Sequence, residues 1–162
     1  MRIVLLCGPP CSGKTTLAHH LAQPADVVLD YDDMARALGS PVWWQHPEPY
    51  RTMAEQHMQT AVAHALATPR DGTAWVIRTA PRPAQRARLA QQWHAQAYLL
   101  NPGETECKRP AVEAQRPSGT RRAIGVWYHR YSPWPNDLNP ATLDPEWVSV
   151  EQHRLVVDPR AV

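Results

Sequence analysis

The chain's 162 residues suffice for one domain with a sizeable buried core, which excludes a second large domain. Its three cysteines, Cys7, Cys11 and Cys107, lack the paired spacing of a zinc site or redox motif and fit a reducing cytoplasm. No stretch stays apolar long enough to span a bilayer, so no membrane is expected, and the apolar run after Arg2 ends too soon for a signal peptide. The formal net charge is only +2, but its sign is unevenly spread. Residues 70–94 hold five arginines against one aspartate, residues 95–131 six basic groups against three acidic, and residues 132–162 two arginines against five carboxylates. The basic middle suits nucleic acid or nucleotide phosphates, and an Arg, Ala and Pro bias in genome composition would look the same.

In chain order, Ile3–Cys7 predicts a short, fully buried strand, and Thr16–Leu21 has the apolar spacing of a helix packed behind it. Between them, Gly8, Pro9, Pro10, Cys11, Ser12, Gly13, Lys14 and Thr15 fit G-x-x-x-x-G-K-[ST], a phosphate-binding loop. Backbone N–H groups of such a loop, and of the helix that Thr16 continues, point at phosphate oxygens, and the positive helix end favours the anion. Lys14 is then placed for the β- and γ-phosphates of ATP and Thr15 for Mg²⁺. Only Lys14 and Lys108 are lysines among seventeen basic residues, so the loop lysine is not drawn from a lysine-rich background.

Asp26–Asp30 predicts a second strand ending in the cluster Asp30, Asp32 and Asp33. In an open parallel sheet these carboxylates project into the crevice that holds the phosphate loop. Asp32 is the catalytic candidate, and Asp30 supports it or a magnesium-bound water. The alternative is that Asp32 or Asp33 merely caps a helix over Met34–Leu38. Residues 40–49, with Trp43, Trp44 and His46, predict an irregular aromatic loop that either lines a substrate base or covers the core. Glu48–Thr68 predicts a long amphipathic helix, with His57 and His64 as surface or satisfied core histidines.

Thr73–Ile77 predicts the third strand, ending at Arg78, where a motor or GTPase would place an aspartate for its magnesium shell. Arg78 reads as a phosphate-binding arginine, with an ion pair to one of the aspartates as the alternative. Pro83 opens a helix through Gln92, whose Arg82, Arg86 and Arg88 predict a solvated face. Ala95–Leu100 predicts the fourth strand. This alternation predicts an α/β three-layer sandwich, with a central parallel sheet of about four to five strands and helices on both faces.

Glu104–Gln115 has helical composition, but Pro110 predicts a kink or split. In the next helix, Arg121–Tyr131, a stripe of Ile124, Trp127, Tyr128 and Tyr131 reads as core, with base stacking as the alternative. Arginines bracketing this hinged pair, Arg109, Arg116, Arg121 and Arg122, suit a phosphoryl-transfer lid over about residues 104–122, and Arg116 is the leading candidate. Beyond Ser132, repeated prolines predict a tail wrapped over the domain or partly loose, so the expected division is residues 1–131 and 132–162.

Three pieces make residues 1–131 similar to the small P-loop kinases of the polynucleotide 5′-hydroxyl kinase and zeta-toxin-like group, which includes phage enzymes acting on nucleic-acid hydroxyls. They are the loop Gly8–Thr15, the Asp-x-Asp-Asp cluster with Arg36 after it, and the segment Cys107–Arg116. The resemblance implies that Asp32 accepts the proton of an attacking hydroxyl and that Arg36 contacts substrate phosphate. It also implies a lid reading Cys-x-x-Arg followed by a second arginine; here Pro110 takes the first arginine position and Arg116 the second, with Arg109 beside it. The expected acceptor is a nucleic-acid hydroxyl, either a 5′ end or a hydroxymethyl group on a modified base, on which Trp43, Trp44 or Trp127 would stack. A free nucleoside, nucleotide or small metabolite is the alternative. A nucleotide switch fits less well, since no asparagine precedes a lysine to begin a guanine-reading Asn-Lys-x-Asp motif.

Overall fold

The computed structural model describes residues 1–42, 45–69, 71–113, 116 and 118–145. Four strands, β1 (Arg2–Cys7), β2 (Val27–Asp30), β3 (Thr73–Arg78) and β4 (Gln96–Leu99), form one all-parallel sheet in the order β2-β3-β1-β4. The helices are α1 (Lys14–Leu21), α2 (Tyr31–Ala37), α3 (Tyr50–Ala67), α4 (Pro83–Gln92), α5 (Glu104–Glu113) and α6 (Ser118–Arg130). The predicted α/β fold is therefore present, with four strands. Because β1 lies at the centre, alternate residues feed two cores. Ile3, Leu5 and Cys7 pack with Met58 and Val62 of α3 and Leu89 of α4; Val4 and Leu6 pack with Leu17 and Ala18 of α1 on the opposite face. Burial pushes the Cys7 thiol up to about 12 and the Cys107 thiol to about 11, so both are inert core groups.

The register brings the carboxyl ends of all four strands to one edge. Cys7 lies opposite Arg78 and Leu99, and Asp30 lies opposite Ile77. Whatever follows these residues is presented together, as parallel sheets require of a ligand crevice. Among the described residues no helix is long and apolar enough to cross a membrane.

Three local expectations are corrected. Arg86 does not belong to a solvated face: its side chain is 0% exposed. Nε–H and one Nη2–H bond the two oxygens of Asp137 at 2.7 and 2.8 Å, the other Nη2–H bonds Ser132 O at 2.7 Å, and Nη1 donates to Ala80 O and Pro81 O at 3.0 and 2.8 Å. A helical arginine thus clamps the loop after β3 to the segment after α6. That segment packs on the sheet beyond the clamp. Leu138 bonds β4 through Ala97 O and Leu99 N–H at 2.9 and 3.1 Å, covering an otherwise open edge, and Trp134 packs against the α3–α4 core.

Second, α5 continues through Pro110 to Glu113 without splitting. Its Cys107 and Ala111 pack against Ile124 of α6, and this tertiary contact holds a turn that lacks one backbone donor. Third, α2 begins earlier than expected, and its cap is Asp30 rather than Asp32 or Asp33. The Asp30 side chain accepts from the Asp32 N–H at 3.0 Å.

Candidate active site

The phosphate loop spans the gap between β1 and α1. Gly8 has φ +154 and lies so close to β4's exit that an added Cβ would sit 2.3 Å from Leu100 O and 2.9 Å from Ser12 Oγ. Gly13, at φ 87, caps α1 in the left-handed region. Gly8→Ala is accordingly expected to destabilise the fold by about 1–3 kcal/mol, because backbone must move to admit the methyl group. A denaturant midpoint equal to wild type would contradict that.

Lys14 is buried, and its Nζ donates to Pro9 O at 2.6 Å and Ser12 Oγ at 3.3 Å across the loop. Burial lowers its pKa, opposed by the charges of Asp30 and Asp32. A desolvated ammonium among backbone donors is the environment in which a phosphate gains most. Thr15 Oγ1 donates to Asp30 Oδ2 at 2.8 Å, while the other oxygen of Asp30 caps α2. One carboxylate therefore connects the phosphate loop to the helix that carries Asp32.

Asp32 lies in the first turn of α2, and its side chain is 53% exposed. Burial of its inner side raises its pKa, the Asp30 charge adds to the rise, and His46 works against both. Asp32 Oδ1 meets His46 Nε2 at 3.1 Å, and His46 Nδ1 meets Ser40 Oγ at 2.7 Å. Arg36 lies four residues after Asp32 on the same helix and so shares its face.

Arg78, at the end of β3, donates to Glu55 Oε2 at 2.8 Å and stacks over the Tyr31 ring, 5.0 Å from its centroid. Its ion-pair partner is thus a glutamate from α3 rather than one of the aspartates. The second terminal nitrogen, Nη1, is buried and has no hydrogen-bond partner among the described residues. Arg109 pairs with Glu106 on the exposed surface of α5, and Arg116 follows the same helix, its N–H bonded to Ala111 O at 3.0 Å. Trp43 and Trp44 lie outside the described residues.

Beside the phosphate loop opens a cleft of about 430 Å³, lined among others by Pro10, Gln45, Thr79, Arg82, Trp127 and Arg130. Trp127 is a core residue, its Nε1–H bonded to Thr79 O at 2.5 Å and its ring stacked on Tyr131, and it also contributes to the cleft wall. His57 and His64 are exposed on α3, as expected.

Four residues near the site were not singled out from sequence: His46 and Ser40 behind Asp32, and Tyr31 and Glu55 around Arg78. A histidine in a proline- and tryptophan-rich loop carries no spacing signal toward a carboxylate fourteen residues earlier. The one available cue was its place in the loop that follows the short helix carrying the aspartate cluster.

A family profile described as an AAA domain matches residues 3–123, from β1 into α6. The chain belongs to this family of P-loop kinase domains. No curated protein sequence matched it. Among solved structures, the chain is similar to one in the Pnkp1/Rnl/Hen1 RNA repair complex, with a TM-score of 0.61, 14% identity and 85% of this chain covered. It covers 49% of that longer chain. It is similar to the Deinococcus radiodurans tunicamycin resistance protein, with a TM-score of 0.60, 19% identity and coverage of 93% and 92% of the two chains. Shikimate kinase from Acinetobacter baumannii, solved with shikimate, gives 0.51 and 16% identity, with 96% of each chain covered. These identities carry the P-loop kinase fold and no more.

Proposed function

We propose that this chain is an ATP-dependent kinase that transfers the γ-phosphoryl group to a hydroxyl of a nucleic acid, either a 5′ end or a hydroxymethylated base. The observation that carries the reading is the connection from Thr15 through Asp30 to Asp32. It sets a half-exposed carboxylate beside the phosphate loop. Thr15 and Asp30 offer hard oxygens that fit Mg²⁺ arriving with the nucleotide, and that ion would neutralise phosphate charge as the group transfers.

The chain's own residues supply positioning and charge. Lys14 and the loop amides from Cys11 to Thr16 hold the β- and γ-phosphates, while Asp32 accepts a hydrogen bond from the acceptor hydroxyl and takes its proton late in a loose transition state. The raised pKa of Asp32 brings it toward the operating range of a general base. Arg116 meets the transferring group. Arg109 can join it by exchanging its exposed Glu106 partner for phosphate, since such surface pairs hold by only about 0–1 kcal/mol. Arg78 offers its unpartnered Nη1, and Arg36 and Arg82 receive acceptor phosphates.

The nucleic-acid acceptor is supported by the two arginines on the cleft, Arg82 and Arg130, and by the basic middle of the chain. A second reading, a small-metabolite acceptor, is supported by the size of the same cleft, which lies within the range of small-molecule sites. Ranking kcat/KM for 5′-hydroxyl oligonucleotides, duplexes with hydroxymethylated bases, free nucleosides and a panel of small alcohols tests the choice. The oligonucleotide acceptors are expected to lead, and Arg82→Ala to raise their KM with kcat retained. A free nucleoside or small alcohol leading the panel would favour the second reading.

A further inference from the structure

We infer that His46 is a positioning residue for the acceptor step, acting through Asp32; the inference rests on Asp32 being the base. His46 is set in an irregular loop among apolar residues, yet its side chain is only 1% exposed and both ring nitrogens are engaged, Nε2 with Asp32 Oδ1 at 3.1 Å and Nδ1 with Ser40 Oγ at 2.7 Å. An ionised carboxylate offers only lone pairs, so Nε2 carries the proton and donates. In the neutral ring Nδ1 is then the acceptor, and the buried Ser40 hydroxyl donates to it. The chain of donors runs one way, from Ser40 to His46 to Asp32, and it fixes the tautomer.

The ring is further held by Tyr31, whose ring meets it edge-on at 6.0 Å and whose hydroxyl is tied to Arg51 O at 3.1 Å. These contacts lock one oxygen of Asp32 toward the protein and leave the other for the incoming hydroxyl.

A proton relay is the competing role, and exposure decides against it. Asp32 is 53% exposed and can return its proton to water directly, whereas His46 and Ser40 are buried behind it and lead nowhere wetter. What the imidazole supplies is orientation. A carboxylate at the head of a helix turns freely about its side-chain bonds unless one oxygen is held, and a misplacement of about 1 Å in a reacting group costs about 10²-fold in rate.

The test combines a spectroscopic arm that needs no acceptor with a kinetic arm that does. In protein labelled with ¹⁵N-histidine, the neutral His46 ring is expected to carry its proton on Nε2 and none on Nδ1. A ring protonated at Nδ1 alone would overturn the inference. In the kinetic arm, with a 5′-hydroxyl oligonucleotide and γ-labelled ATP, His46→Ala is expected to lower kcat about 10²-fold with the KM for ATP unchanged. His46→Gln, whose amide N–H can reach the place of Nε2–H, is expected to recover most of that loss. Equal kcat in wild type and His46→Ala, or loss of ATP affinity in step with kcat in both variants, would overturn it. If the wild-type protein phosphorylates no oligonucleotide, the acceptor reading fails, while the nitrogen spectrum still tests the hydrogen bond from His46 to Asp32.

Discussion

Arg86→Leu is expected to destabilise the fold by about 3–5 kcal/mol, the cost of leaving one member of a buried ion pair without its partner. The side chain is wholly enclosed, and Asp137 is nearly so. Removing the guanidinium leaves the Asp137 charge uncompensated and takes a donor from each of the carbonyls of Ala80, Pro81 and Ser132, which receive three of its five hydrogen bonds; Pro81 O keeps the Ser132 N–H at 3.3 Å. It also withdraws the cation from above the Tyr131 ring, 5.6 Å from its centroid. Domains of this size have a total stability of about 5–15 kcal/mol, so much of the margin goes with one side chain. Denaturant unfolding of the variant is expected to show a midpoint far below wild type. Arg86→Leu combined with Asp137→Leu is expected to regain part of the loss, because the uncompensated charge goes as well. A midpoint within about 1 kcal/mol of wild type for Arg86→Leu alone would show that the clamp is not what holds the β3 loop to the segment after α6.

Asp32→Asn is the second large effect, and it acts on chemistry rather than stability. The amide is isosteric and its oxygen still accepts from His46 Nε2–H, while the Asp30 cap uses only the backbone N–H of residue 32, so α2 is retained. What is lost is the ability to take a proton, and transfer is expected to fall by about 10²–10⁴-fold. Nucleotide binding rests on Lys14 and the loop amides and is expected to stay close to wild type, measured by titration with a non-hydrolysable ATP analogue. Parallel loss of binding and transfer would instead make Asp32 a ligand of the nucleotide or its metal.

The sheet and the phosphate loop were legible because each local signal agreed with its neighbours: a buried apolar run, a glycine-rich turn and a helical spacing follow one another between Ile3 and Leu21. The strand-end aspartates were legible for the same reason, since a parallel sheet brings its carboxyl ends to one edge. Long-range partners were not legible. Arg86 sits between Arg82 and Arg88 and looks like one of a charged face, and only its distance of fifty-one residues from Asp137, closed by the fold, reveals a buried clamp. Arg78 found Glu55 rather than an aspartate because α3 passes under the end of β3, which no local pattern states. The continuity of α5 through Pro110 has a similar origin, for a local break signal yields where a packed partner helix supplies the missing support.

The central claim is that the phosphate loop is the donor half of a phosphotransferase whose acceptor half begins at Asp32. A single-turnover reaction with γ-labelled ATP and Mg²⁺, comparing a 5′-hydroxyl oligonucleotide with the same oligonucleotide already 5′-phosphorylated, tests it most directly. Label is expected in a phosphomonoester on the 5′-hydroxyl strand and none on the blocked strand, at a rate that Asp32→Asn lowers by about 10²–10⁴-fold. Label released only as inorganic phosphate, at the same rate with either strand, would contradict it.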